Sequence, residues 1–289
     1  MVDLKIKLPN SFFEEEERCG YVTSREMKQL WAVELDLLCE LDRVCKKLKI
    51  RYFLDGGTLL GAARDGRFIP WDDDVDTTML REDYDKLLKY GPQEFQEPYF
   101  LQNAYTDDDY RRGMCQLRRS DTTAILKKEV EKHLPFNQGV FIDIFPLDGI
   151  APEAELCHFF EEKQTFRKKL GDYAHQSEHD CLRLREMFRQ YEEMCSQYRD
   201  VGYVDKIMNK RRLEKKDLNS LIPLNREWFC GTVELCFEGV SFPAPSGYKD
   251  VLSAYYGEDY NVPKRMSNYH GDLVWDVSRP YTEYLFSLL

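Results

Sequence analysis

YFLDGGTLLGAARDGRFIPWDDDVDTTML, residues Tyr52 to Leu80, is the stretch around which the chain is organised. It opens with a short apolar strand, Tyr52-Phe53-Leu54, and passes through a Gly56-Gly57-Thr58 turn into a short helix expected over Thr58 to Ala63. A loop carrying Arg64 and Arg67 then leads to four acids, Asp72, Asp73, Asp74 and Asp76. Asp72 and Asp73 alone would fit a solvated loop. Asp74 and Asp76 differ, because they flank Val75 at the start of a β-prone run, Thr77 to Leu80. On a strand, residues two apart share a face, so both carboxylates would project together with Cα atoms roughly 6–7 Å apart. Two like charges aimed into one space are unfavourable unless a cation sits between them. Hard oxygen ligands of this kind suit Mg²⁺ or Mn²⁺, which also bind substrate phosphates.

The Gly56-Gly57-Thr58 turn supplies the complementary half. Glycines let backbone N–H groups approach a phosphate, and a helix N-terminus favours the anion. A lone Gly-Gly pair is only a turn. The order strand, Gly-Gly-Thr, helix, Asp-hydrophobic-Asp strand is more specific and resembles the nucleotidyltransferase superfamily. The wording GGTLLGAARDGRFIPWDDDVD resembles the signature of the LicD family of phosphocholine transferases, whose relatives include the fukutin-type polyol-phosphate transferases. GVFIDIFPLDGI at Gly139–Ile150 and LSAYYGEDYNVP followed by His270 are similar to that family as well. The resemblance spans most of the chain outside roughly residues 153–225. It implies an α+β fold: a nucleotidyltransferase-like mixed sheet flanked by helices, with an added helical subdomain. The expected organisation is a catalytic core over 1–150, a helical insertion or acceptor-side subdomain over 151–225, and a segment over 226–289 that completes the catalytic domain.

At 289 residues the chain can hold such a domain and an addition to it. Hydrophobic residues at 43% and charged residues at 32% describe a globular chain rather than a disordered one. The net charge, 41 − 52 = −11, argues against nucleic acid as a partner, since that needs a basic footprint. Nine scattered cysteines without a Cys-x-x-Cys pair suggest neither zinc nor a disulfide framework. The first residues lack a signal peptide's apolar core, and no apolar run approaches the roughly 20 residues of a membrane span. The expectation is a cytoplasmic protein that meets any lipid-carried acceptor by peripheral contact at the inner membrane face.

Along the chain, Thr23 or Ser24 can cap a helix reaching about Lys47, with Met27, Leu30, Trp31, Leu35, Leu38, Leu41 and Val44 at helical spacing; Glu34 interrupts this stripe. Arg81 to Tyr90 reads as the next helix, ended by Gly91-Pro92. Short strands are expected at Tyr99–Ala104, Gly113–Arg119 and Ala124–Lys127. Arg118 and Arg119 face opposite ways on the middle one, so one of them at most serves the active face. Arg118 is taken as a phosphate contact. GVFIDIF, Gly139 to Phe145, reads as a buried strand with Asp143 inside it, and a buried lone carboxylate must be paired or metal-bound. Asp148 is expected in a turn or cap. Helices fill the region after Pro152, Trp228 to Val240 alternates like a strand, and Phe242 to Gly247 reads as a turn into a helix over Tyr248 to Tyr256.

These parts suggest phosphoryl-group transfer. Asp74, Asp76 and Asp143 are the candidate catalytic and metal-binding residues, with Asp143 either a further metal ligand or the base that accepts a hydroxyl proton. Gly56, Gly57, Thr58, Arg64 and Arg118 are candidate donor-phosphate contacts, and Lys264 and His270 candidate contacts from the tail. Residue types alone do not separate this from nucleotidyl transfer to a small molecule. The resemblance implies CDP-choline as donor, CMP as leaving group and a cell-surface glycan or its precursor as acceptor, with a polyol phosphate such as ribitol phosphate as the alternative cargo. Choline's ammonium favours aromatic faces, for which Trp71, Tyr255, Tyr256, Tyr260, Tyr269 and Trp275 are available.

Overall fold

A computed structural model describes residues 1–108, 110, 112–132, 134–174, 176, 180–206, 222–264 and 273–286. In chain order, the hairpin β1 (Glu16–Arg18) and β2 (Tyr21–Thr23) leads into α1 (Arg25–Leu48). There follow β3 (Phe53–Leu54), α2 (Gly56–Arg64), β4 (Asp76–Leu80), α3 (Arg81–Tyr90), β5 (Tyr99–Gln102), β6 (Cys115–Arg119), β7 (Thr123–Leu126) and β8 (Val140–Gly149). The helical segment is α4 (Glu153–Ala174) and α5 (Cys181–Cys195), and β9 (Tyr203–Asp205) and β10 (Leu224–Asn225) come after it. The chain continues with β11 (Thr232–Phe237), β12 (Val240–Pro245), α6 (Tyr248–Tyr256), β13 (Leu273–Asp276) and α7 (Tyr281–Phe286).

α1 starts where the sequence offers a cap: the Met27 N–H donates to the Ser24 hydroxyl at 3.3 Å. It ends on Lys49 in the left-handed conformation. Leu30, Trp31, Leu35, Leu38, Leu41 and Val44 are all buried on its inner stripe. That stripe covers a mixed sheet built on β8. β4 runs parallel to β8 with Asp76 opposite Asp143, and β3 closes antiparallel on β4. β6 pairs antiparallel with the first half of β8 and carries β5 beyond it, while β9 pairs with the last two residues of β8 and carries β10. β8 therefore touches three strands, and its apolar residues Val140, Ile142, Ile144 and Leu147 lie in the main core. α4 and α5 pack on each other around a smaller core that includes Phe160, Leu170, Leu184, Phe188 and Tyr191.

Four expectations need correction. The helix after the glycine turn begins at Gly56 itself, so the glycines form its first turn. β4 begins at Asp76, so Asp74 approaches the strand rather than standing on it. Phe242 to Pro245 belongs to β12, whose prolines are tolerated because its partnering is confined to the two-stranded ribbon with β11. Asp148 is no turn residue: it lies in β8, 1% exposed, and its carboxylate accepts from Arg81 Nε at 2.6 Å and Nη2 at 2.7 Å. Glu192 of α5 lies 3.8 Å from the same guanidinium and accepts from the Tyr105 hydroxyl, so one buried arginine ties β8, α3 and α5 together.

Breaking a buried pair by removing one partner costs roughly 3–5 kcal/mol. Asp148→Ala is expected to lose stability on that scale in urea unfolding, whereas a loss below about 1 kcal/mol, the scale of a surface pair, would refute the role given to Arg81.

Candidate active site

The glycine turn and the acids meet because β3, α2, β4 and β8 converge. The Asp55 N–H donates to the Asp76 carbonyl at 3.0 Å, which holds the start of α2 beside the start of β4. Thr58 lies in the first turn of α2, and its hydroxyl accepts the Asp76 N–H at 2.9 Å. It thus fixes Asp76 from behind. Gly56 sits at φ +55°, and a Cβ there would come within 2.7 Å of Asp76 Oδ2. A Cβ on Gly57 would overlap the Asp72 carboxylate. Only glycine lets the first turn of α2 lie flat against these two acids. The loop carrying them is pinned from α1, where Trp31 Nε1 donates to the Asp72 carbonyl at 2.8 Å.

On the other side of Asp76 stands Asp143, its register partner across the parallel pair. The Asp143 N–H donates to the Val75 carbonyl at 2.9 Å, and the Thr77 hydroxyl donates to the Asp143 carbonyl at 2.9 Å. Asp74, Asp76 and Asp143 are half-buried, whereas Asp72 and Asp73 are buried. Burial and the charges of Asp72, Asp76, Asp143 and Asp73 push the Asp74 carboxyl well above the usual carboxylate range. The five acids therefore share one field.

A sixth carboxylate lies beneath them. Glu34 of α1 is 2% exposed, its Oε2 has no hydrogen-bond partner among the described residues, and burial with Asp73, Asp72 and Asp143 drives its carboxyl well up. The break it makes in the apolar stripe was the visible signal.

Asp143 is supported by a relay. Gln116 Nε2 donates to Asp143 Oδ1 at 2.6 Å, and Gln116 Oε1 accepts from Arg118 Nη2 at 2.7 Å. Arg118 also donates to Gln102 Oε1 and to the Gly139 carbonyl at 2.6 Å, stacks 4.5 Å from the Phe141 ring, and is 1% exposed. Burial pushes it down to about 9. Arg118 is thus placed behind Asp143, not on the cleft. Arg119 turns to the opposite face and pairs with Asp36 at 2.6 Å.

Lys206 follows β9 and was not foreseen. Its ammonium pairs with Asp55 and lies 5.0 Å from the Phe145 ring and 5.1 Å from the Tyr255 ring. Burial alone would lower it; Asp55, Tyr255 and Asp76 outweigh burial and raise it. The end of α6 thereby reaches the site through Tyr255.

The remaining candidates are scattered. Arg64, at the end of α2, pairs with Asp65 at 2.8 Å. Lys264 pairs with Asp259 on the surface. His270 and Tyr269 lie outside the described residues. Trp71 meets Tyr21 edge-on at 6.2 Å, and Trp275 lies in β13, paired with β7. Among the described residues no three of His, Cys, Asp and Glu are already gathered to coordination spacing. Mutually repelling oxygen donors of this type nonetheless fit a hard divalent cation, which would relieve the repulsion that Asp74 experiences.

The LicD/FKTN/FKRP nucleotidyltransferase domain matches residues 49–181, which contain every strand and helix of this site except α1, β9 and α6. The chain is 27% identical over 266 residues to the lipopolysaccharide cholinephosphotransferase LicD of Haemophilus influenzae, covering 82% of this chain and 94% of that protein. It is 62% identical over 34 residues to the ribitol 5-phosphate transferase FKRP of mouse and of human, covering 12% of this chain and 7% of those proteins.

Because the Asp74 carboxyl is held high, its contribution to stability is present below the ordinary carboxylate range and is lost as pH rises through the raised value. In metal-free buffer, Asp74→Asn is expected to gain on the parent's Tm as pH is raised, by about 2–4 °C, the size of a 1 kcal/mol gain. Added Mg²⁺ should raise the parent's Tm and leave the variant's nearly unmoved. A variant that gains nothing on the parent as pH is raised without metal would contradict the shared field.

Proposed function

We propose, from the match of residues 49–181 to the LicD/FKTN/FKRP nucleotidyltransferase domain and the similarity to a cholinephosphotransferase, that the chain is a phosphotransferase of the LicD type that moves phosphocholine from CDP-choline to a hydroxyl of a cell-surface glycan or its precursor, releasing CMP. The observation that carries this reading is the register of Asp76 against Asp143 at the N-terminus of α2. Acids brought side by side next to a helix N-terminus suit a diphosphate bridged by a cation.

Asp74, Asp76 and Asp143 would hold Mg²⁺ or Mn²⁺, which when bound offsets charge on the diphosphate. The first turn of α2 offers backbone N–H groups to the donor. Asp143, held by Gln116, is oriented to accept the proton of the incoming hydroxyl. The hydroxyl oxygen bonds to the phosphorus bearing choline, the bond from that phosphorus to the bridging oxygen breaks, and the bridging oxygen leaves with CMP. Arg64, at the far end of α2, would have to exchange Asp65 for the donor to serve as a phosphate contact. The helices α4 and α5 are assigned to the acceptor side. No helix among the described residues is long and apolar enough to cross a membrane.

A second reading, transfer of ribitol phosphate, is favoured by the short but 62% identical match to the ribitol 5-phosphate transferases. A panel of CDP-choline, CDP-ethanolamine and CDP-ribitol with Mg²⁺, read by CMP release, separates the two. CDP-choline is expected to be preferred modestly over CDP-ethanolamine and strongly over CDP-ribitol; the reverse order for CDP-ribitol would move the protein to the second reading. In the same assay Asp143→Asn is expected to keep the fold and lose at least about two orders of magnitude in turnover, the scale of a catalytic base. A lowered Tm with near-normal turnover would leave Asp143 a structural role only.

A further inference from the structure

We propose that Lys206 binds a phosphate of the nucleoside diphosphate donor, delivered to the site by the strand that follows the inserted helices. This rests on the donor class given above but adds a residue from a part of the chain with no catalytic pattern of its own.

The position of Lys206 is built, not incidental. β9 pairs with the end of β8, Gly149 opposite Val204 and Asp148 opposite Asp205, and Lys206 is the first residue beyond that pairing. The sheet therefore fixes where its side chain starts. Its ammonium pairs with Asp55, the N-cap residue of α2, between the rings of Phe145 and Tyr255. A cation at a helix N-terminus is on the unfavourable end of the helix dipole. Burying an ammonium is costly as well. Together these costs make sense where an anion comes to the same place.

Comparison with Lys163 sharpens the point. Lys163, in α4, is 0% exposed, with its ammonium 3.9 Å from the Phe159 ring of the same helix, and it is a lysine of the core. The Lys206 side chain keeps 14% of its surface, so it is covered yet reachable. An ammonium has three N–H donors, and the pair with Asp55 occupies one direction.

The competing view is that Lys206 only neutralises Asp55. Asp55→Asn/Lys206→Met removes both charges together and separates the two. Calorimetry with CDP and Mg²⁺ on the full chain is the test, with inorganic pyrophosphate as a second probe. The double variant is expected to melt near the parent, yet to bind CDP about tenfold to a hundredfold more weakly, the scale of one charge-assisted hydrogen bond. Lys206→Arg should recover part of the loss. CDP binding within twofold of the parent by the double variant would overturn the proposal and leave the phosphocholine reading standing. Conversely, Lys206-dependent CDP binding without turnover of any CDP-alcohol would uphold it while that reading fell. A parent that binds neither CDP nor pyrophosphate would overturn both.

Discussion

The parallel pairing of β4 with β8 sets Asp76 beside Asp143, and much of the structure exists to hold those two residues there. Strands in this pairing have no adjustable register: a slip of one residue would turn Asp143 away from Asp76 and put Ile142 or Ile144 in its place. The surrounding contacts each remove one way of slipping. Thr77 and Thr78 donate across the pair to the Asp143 and Phe145 carbonyls. Asp55 and Thr58 fix the backbone of Asp76 from the other side. Beyond β4, Arg81 clamps the far end of β8 through Asp148.

Charge is distributed unevenly around that pair. Away from the cleft, buried cations and anions are matched: Arg81 with Asp148, Arg119 with Asp36. At the cleft, like charges are brought together, with Glu34 buried under them. Such a concentration of carboxylates is a common mark of a functional site. One face of β8 shows the same division in miniature. Phe141 lies under Arg118, Asp143 takes the amide of Gln116, and Phe145 lies near Lys206.

Elements with strong local signals were legible in the sequence. α1, α3 and α6 have caps or stops and helical spacing, and their bounds lie close to those expected. β8 was legible only to Phe145, because Pro146 and Asp148 look like turn residues until Arg81 is seen to satisfy the acid. The Pro-Ala-Pro stretch of β12 misled for a similar reason. Within the site, the nearness of Asp76 and Asp143 to the glycine turn was suggested by local facts, an acid at a strand start and an acid inside an apolar strand, whereas the strand spacing expected of Asp74 does not hold because β4 begins at Asp76. Gln116, Asp55 and Lys206 could not be named, since their significance comes from strand pairing between distant segments. Arg118 shows the limit of a composition argument: clustered arginines suggested a phosphate site, yet this one is consumed in holding Gln116 and Gly139.

We propose that Asp76 and Asp143 hold one cation that also carries the donor's phosphate. Electron–nuclear double resonance on the protein loaded with Mn²⁺ and CDP-choline tests it most directly. The account predicts a ³¹P coupling to protein-bound Mn²⁺ that disappears in Asp76→Asn. A ³¹P coupling unchanged in that variant, or protein-bound Mn²⁺ with no phosphorus nearby, would contradict it.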